Sequence, residues 1–219
     1  MERRALLLGL AALPLAGVAA CGPADNVWDP EEAVQRARYV HPGAPSLTLV
    51  TVRNAGDGSG AHTGLLISGS ERVLFDPAGT WRHPSIPERQ DVLYGMTPEA
   101  LELYLSYHAR ESFYVVTQAV DVAPEAAEAA LARAKANGAV GQARCAIATS
   151  GVLSGLPGFQ GVGRTWFPNA LARRFGRLPG VVTAERREGD ADDGRDELLA
   201  GYGALPAPAA APVAAPTAP

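Results

Sequence analysis

Residues Ala5 to Ala20 carry no charge, follow the basic start Met-Glu-Arg-Arg and end on small side chains. A short basic region, then an apolar run closing on small residues, is the pattern of a secretory signal. The run is shorter than the roughly 20 apolar residues a membrane span needs, and Pro14 and Gly17 suit a cleaved segment better than a spanning helix. Residues 1–20 are therefore expected to form no part of the fold. The other end is equally restricted. Ala204 to Pro219 is almost entirely Ala and Pro, a composition that cannot build a core. Glu185 to Glu197 is dense in acidic residues with interspersed arginines, so 183–219 is expected to be an acidic, then Ala/Pro-rich, disordered tail. Residues 21–45 contain Pro23, Pro30, Pro42 and Pro45 and read as a tether, with one short helix over Pro30 to Tyr39. What can fold is 46–182, one domain with enough length for a real core.

Within that window the pattern is mixed. Leu47 to Val52 is apolar and β-branched, a strand. Asn54 to Gly60 is a glycine-rich loop, and His62 to Ser68 a second strand. Gly69-Ser70 is a two-residue turn into a third strand, Glu71 to Phe75, so the pair forms a hairpin. Asp76 to Asp91 holds Pro77, Gly79, Pro84 and Pro87 and reads as a loop. Thr97-Pro98-Glu99 is a helix start, with a capping hydroxyl, proline at the first position and then an acid; the helix runs to about His108. Ser112 to Val122 is a fourth strand. Pro124 opens an alanine-rich helix that stops at Asn137-Gly138. A third helix spans about Arg144 to Leu153, and a shorter one follows Pro168. The expected class is α+β, a small antiparallel sheet packed with helices.

The signal ends Val18-Ala19-Ala20-Cys21. This resembles the bacterial lipobox, in which an aliphatic and two small residues precede the cysteine that is acylated. The resemblance implies lipid attachment at Cys21 and a mature protein anchored in the bacterial cell envelope, facing the periplasm, with membrane contact through that lipid. The formal net charge is -4, and no basic patch stands out along the chain, which argues against nucleic acid as a partner. The chain has two cysteines. With Cys21 acylated, Cys145 is left alone, and a lone thiol in an oxidising compartment is a liability unless buried or used.

Three residues could carry chemistry. At the start of a helix, Cys145 would feel the helix dipole and free amides, which favour thiolate over thiol and can bond a developing oxyanion; it could equally be a packed core residue. His62 opens a strand after a flexible loop, where a neutral imidazole could take a proton from Cys145 and return it to a leaving group. It could also be an ordinary surface histidine, as His41 and His108 look to be; His83, in a Trp-Arg-His-Pro loop, is ambiguous. Asp76 ends the strand that the hairpin sets beside His62 and could fix its tautomer, or be turn chemistry before Pro77. No zinc-ligand spacing occurs among His62, His83 and Asp76, and neither metal nor cofactor is implied.

The segment His62-Thr63-Gly64-Leu65-Leu66-Ile67, a turn, then Val73-Leu74-Phe75-Asp76 resembles the histidine hairpin of papain-like enzymes related to the NlpC-type cell-wall peptidases. Arg144-Cys145-Ala146, with the apolar helix through Leu153, resembles their nucleophile helix. In the usual members the cysteine helix comes first; here the histidine does, as in the circularly permuted branch that includes the lecithin:retinol acyltransferase-like proteins. The likeness spans about Ser46 to Leu178 and is carried by these two short motifs. It implies Cys145 as nucleophile, His62 as base and Asp76 as orienting group, with Gln118 on the fourth strand as a substitute for Asp76. Members often carry Asn or Asp just before the nucleophile, where Arg144 stands here. The expected function is a cysteine-dependent hydrolase or acyltransferase acting on an amide or ester: a peptidoglycan peptide, another peptide or a lipid. The alternatives are a non-catalytic envelope lipoprotein that uses the same fold to bind a peptide or partner, and a cysteine that senses oxidants.

Overall fold

A computed structural model describes residues 24–203 and Leu205. The acylation site expected at Cys21 and the Ala/Pro stretch from 206 onward lie outside the described residues. Nine-residue strands β1 (Ser46–Asn54) and β2 (Gly60–Ser68) pair antiparallel, Leu49 opposite Leu65 and Val52 opposite His62. The Gly69-Ser70 turn leads into β3 (Arg72–Phe75), which pairs with β2 from Leu65–Phe75 to Ser68–Arg72. β6 (Phe113–Asp121) flanks β1 on its other side. These are the strands expected from the β-branched runs.

Two further short strands, β4 (Glu88–Arg89) and β5 (Val92–Tyr94), extend the sheet beyond β3. β4 falls inside the stretch read as a loop. β7 (Val182–Arg186) adds to β6 at the opposite edge, completing a seven-stranded antiparallel sheet in the order β4-β5-β3-β2-β1-β6-β7. Together with its helices this is an α+β fold.

Alternation along the strands divides the core in two. Leu47, Leu49, Leu65, Ile67, Val73 and Phe75 face one way, under α3 (Pro124–Ala136), α4 (Cys145–Leu153) and α5 (Pro168–Phe175). Val50, Val52, Leu66, Leu74 and Val115 face the other way, under α2 (Pro98–His108). The Thr97 hydroxyl caps α2 by accepting from the Ala100 N–H at 3.2 Å, with Pro98 in the first turn, as its sequence signature requires. The tether holds α1 (Glu31–Ala37), whose Val34 reaches the first of these cores.

The expected disordered tail needs correction over its first part. Residues 182–186 form the edge strand β7, and α6 (Arg195–Tyr202) packs beside α2. Backbone pairing to β6 and the ion pair of Arg186 with Glu102 (2.6 Å) hold a segment whose composition gives no apolar period. No helix among the described residues is long and apolar enough to cross a membrane.

Candidate active site

The site forms where β3 ends. Its last pair with β2 is Leu65–Phe75, so beyond Leu65 that edge of β2 has no strand partner among the described residues. Asp76 continues from β3 on the sheet face that His62 and Gly64 occupy, and its Oδ1 lies 2.7 Å from His62 Nε2. The same oxygen accepts the Tyr104 hydroxyl of α2 at 2.6 Å. Two glycines leave room for this carboxylate. A methyl group on Gly64 would lie 3.4 Å from Asp76 Oδ1 and 3.4 Å from the Tyr104 hydroxyl, and one on Gly79 would overlap Asp76 Oδ2. Oδ2 is buried beside Gly79 with no hydrogen-bond partner among the described residues.

Cys145 is the first residue of α4, which packs on the other sheet face. Its thiol comes to the uncovered β2 edge, where the His62 side chain and the backbone N–H groups of Thr63 and Ala146 favour its ionised form. With Nε2 engaged by Asp76, Nδ1 is the His62 nitrogen left for the thiol. The order Cys145–His62–Asp76–Tyr104 therefore runs from one face of the sheet to the other, past the point where β3 stops.

Charge follows from these contacts. Burial opposes a charged His62, but the Asp76 carboxylate and its hydrogen bond, with Cys145 on the other side, outweigh it and hold the imidazole up at about 10. Burial likewise opposes the Cys145 thiolate; His62 and the Thr63 and Ala146 amides outweigh burial and bring the thiol below its ordinary value. Asp76 is also lowered despite burial, through His62, His108 and the Tyr104 hydroxyl. Tyr104 is pushed well above its ordinary value by burial and by Asp76, so it remains a neutral donor. The group can rest as a thiolate–imidazolium pair oriented by a carboxylate, the state from which a thiol attacks an acyl carbon.

No family model, curated protein or solved structure matches the chain.

Gln118, the substitute for Asp76, is not brought to this site. Strand register sets it opposite Leu49, on the α3–α5 face of the sheet, where it packs against Gly176. His83 is buried in its loop, stacked near Trp81 and accepting from the Ser85 N–H at 3.2 Å. His41 lies beside Arg72.

His108 is not the bystander its position in the sequence suggests. Its ring stacks on His62 (centroids 6.1 Å apart) and meets Tyr104 at a tilt (4.3 Å). Burial, against the pull of Asp76 and with the repulsion of His62, pushes it down to about 4. It is a neutral ring beside a charged one. Tyr104 and His108 stand four apart on α2, one face of one helix, and that spacing is the signal that could have found them.

An open cleft of about 420 Å³ leads to His62, with Ala78, Tyr107, His108, Gln142 and Arg195 in its walls. Cys145 itself is 7% exposed, three residues after Gln142 of the cleft wall. Ala143 has φ 62°, left-handed backbone that a non-glycine residue adopts at a cost. Asp91 ties together the two loops that flank the site. Its Oδ2 accepts the Val140 N–H at 2.8 Å, ahead of Cys145, and the Ala78 N–H at 3.3 Å, just after Asp76.

Proposed function

We propose that this protein is a cysteine-dependent acyl hydrolase or acyltransferase, built on a permuted papain-like plan and held at the bacterial cell envelope by lipid on Cys21. The observation that carries the chemical part is the single imidazole bonded by Asp76 at 2.7 Å on one nitrogen, with the Cys145 thiol close enough to favour its charged form. The envelope location and the family likeness rest on the sequence motifs.

In this reading the Cys145 thiolate attacks the carbonyl carbon of an amide or ester. A C–S bond forms, and the carbonyl electrons move to oxygen, near the amides that open α4. As the oxyanion collapses, the C–N or C–O bond breaks and the His62 imidazolium gives its proton to the leaving amine or alcohol. The thioester is then resolved by water or an acceptor alcohol. Neutral His62 takes that nucleophile's proton, and the thiolate–imidazolium pair returns as the C–S bond breaks. Asp76 keeps Nε2 protonated throughout, with Tyr104 holding the carboxylate in line.

The test is incubation of the protein with purified peptidoglycan and, separately, with phospholipid vesicles, followed by mass spectrometry. Products that vanish in Cys145→Ala support the proposal and name the substrate class. Identical spectra from wild type and Cys145→Ala on both substrates overturn it.

One observation favours a second reading. With only 7% of Cys145 exposed, the fold could serve as a non-catalytic binding module of the envelope in which the thiol is core. That module would bind a peptide or partner in the His62 cleft equally well with Cys145→Ala, and would turn nothing over.

A further inference from the structure

The loop between α4 and α5 exposes two adjacent aromatic side chains, Trp166 at 54% and Phe167 at 70%. Large apolar groups left open side by side usually meet something. This pair is held firmly. The buried Ser150 hydroxyl of α4 accepts the Thr165 N–H at 3.0 Å, and the Thr165 hydroxyl accepts the Phe167 N–H at 3.3 Å. On the far side, Asn169 donates to the Gly58 carbonyl at 2.8 Å, fastening the loop to the turn before His62. The aromatics are therefore a fixed ridge, tied to both elements that supply the thiol and the imidazole.

The ridge lies within a stretch of chain whose charges are all of one sign. From Ala129 to Ala184 the chain carries seven cationic and no acidic side chains, although its net charge is -4. The overall balance conceals the imbalance, because the carboxylates lie before and after this stretch. Arg144, next to Cys145, lies over the Trp166 ring at 6.0 Å. Arg174 donates to the Val162 and Arg164 carbonyls at 3.2 and 3.4 Å, so it adjoins Arg164. Arg144, Arg164 and Arg173 are exposed, and none of these four arginines forms an ion pair among the described residues.

We infer that the Trp166–Phe167 ridge and its arginines dock on the surface of an anionic lipid bilayer. Indole and phenyl rings settle at the headgroup level of a membrane, where one side is apolar and the other wet. Arginines around them meet the negative surface potential. Charge alone would suit any polyanion; the two rigid, exposed rings among the charges are what select a bilayer. Docked this way, the protein would hold the N-terminus of α4, and with it Cys145, against the interface. The inference does not depend on the thiol being catalytic or on Cys21 being acylated.

The test uses the chain from Gly22 onward, which contains every residue of the described fold and lacks the apolar start. It is sedimented with vesicles of phosphatidylcholine alone and of phosphatidylcholine mixed with phosphatidylglycerol. Binding is expected only to the mixed vesicles, and should weaken as salt shortens the reach of surface charge. Arg164→Gln and Arg173→Gln should each weaken binding about fivefold, from about 1 kcal/mol per basic residue at an anionic surface. Trp166→Ala with Phe167→Ala should weaken it by more than Trp28→Ala, a control for an exposed indole elsewhere. Equal sedimentation with both vesicle types overturns the inference. So does binding that survives loss of both aromatics but is competed away by heparin, which would mark a site for a linear polyanion.

Discussion

Asp76→Asn removes one negative charge while keeping an oxygen that can accept from Tyr104 and His62. His62 stands at about 10 against an ordinary value near 6.5, and at about 1.4 kcal/mol per tenfold this is about 5 kcal/mol in favour of the imidazolium. Burial works against that state, and the Asp76 charge is the largest contribution for it. With the amide in place burial prevails, the imidazole is neutral at pH 6, and the thiol loses the cation that favoured its ionised form. A thiol near the unperturbed value of about 8.5 is ionised in about one molecule in 300 at pH 6. The more basic thiolate is intrinsically more reactive, which offsets about one decade. The iodoacetamide rate at pH 6 should therefore fall, by about thirtyfold at the limit of a fully ionised parent thiol, and the midpoint of the rate profile should move toward alkaline pH. The assay is best run on Cys21→Ser protein, where Cys145 is the only thiol, with circular dichroism confirming that the fold survives. If the Asp76→Asn profile superimposes on that of the parent, Asp76 does not set the charge of His62 and the reasoning fails.

Three other outcomes follow from the geometry. Gly79→Ala should displace Asp76, because the added methyl overlaps its Oδ2; thiol reactivity at pH 6 should drop as in Asp76→Asn, without loss of the carboxylate. His108 is held at about 4 in the fold against about 6.5 unfolded, so the unfolded chain binds the extra proton between those values. Its stability contribution is complete above about pH 6.5 and is lost as pH falls toward 4, by about 2 kcal/mol at pH 5. His108→Phe should flatten that slope in urea melts at pH 7 and 5, and an unchanged slope would exclude His108 as its source. Asp91→Ala leaves the Val140 and Ala78 amides without their acceptor, at a cost of about 3 kcal/mol in the unfolding free energy from urea melts, and a value within experimental error of zero would show that the flanking loops are held by other means.

Much of this fold was legible because it depends on local patterns. The β-branched runs of β1, β2, β3 and β6, the Gly69-Ser70 turn, and the prolines at 98, 124 and 168 each specify an element through its own residues. Strand alternation also sets His62 and Asp76 on one face of a hairpin. What escaped is long-range. β7 is exposed on both faces, with Val182 71% open, so nothing in its composition announces a strand; its place comes from backbone pairing to β6 and the ion pair of Arg186 with Glu102. β4 and β5 are two and three residues long, too short for any period. Tyr104 and His108 lie on a helix that was legible, but only its packing across the sheet brings that face to Asp76. Gln118 looked equivalent to Asp76 by residue type, and register alone sets it on the opposite side of the sheet.

The central claim is that Cys145 and His62 share a proton as an ion pair. It is tested most directly by the thiolate absorbance near 240 nm, titrated in Cys21→Ser protein with and without His62→Ala. The account predicts a thiolate that forms below the ordinary thiol range of about 8.5, and whose titration moves above that range, under the pull of burial, when the imidazole is removed. A single titration at or above 8.5, the same in both proteins, would contradict it.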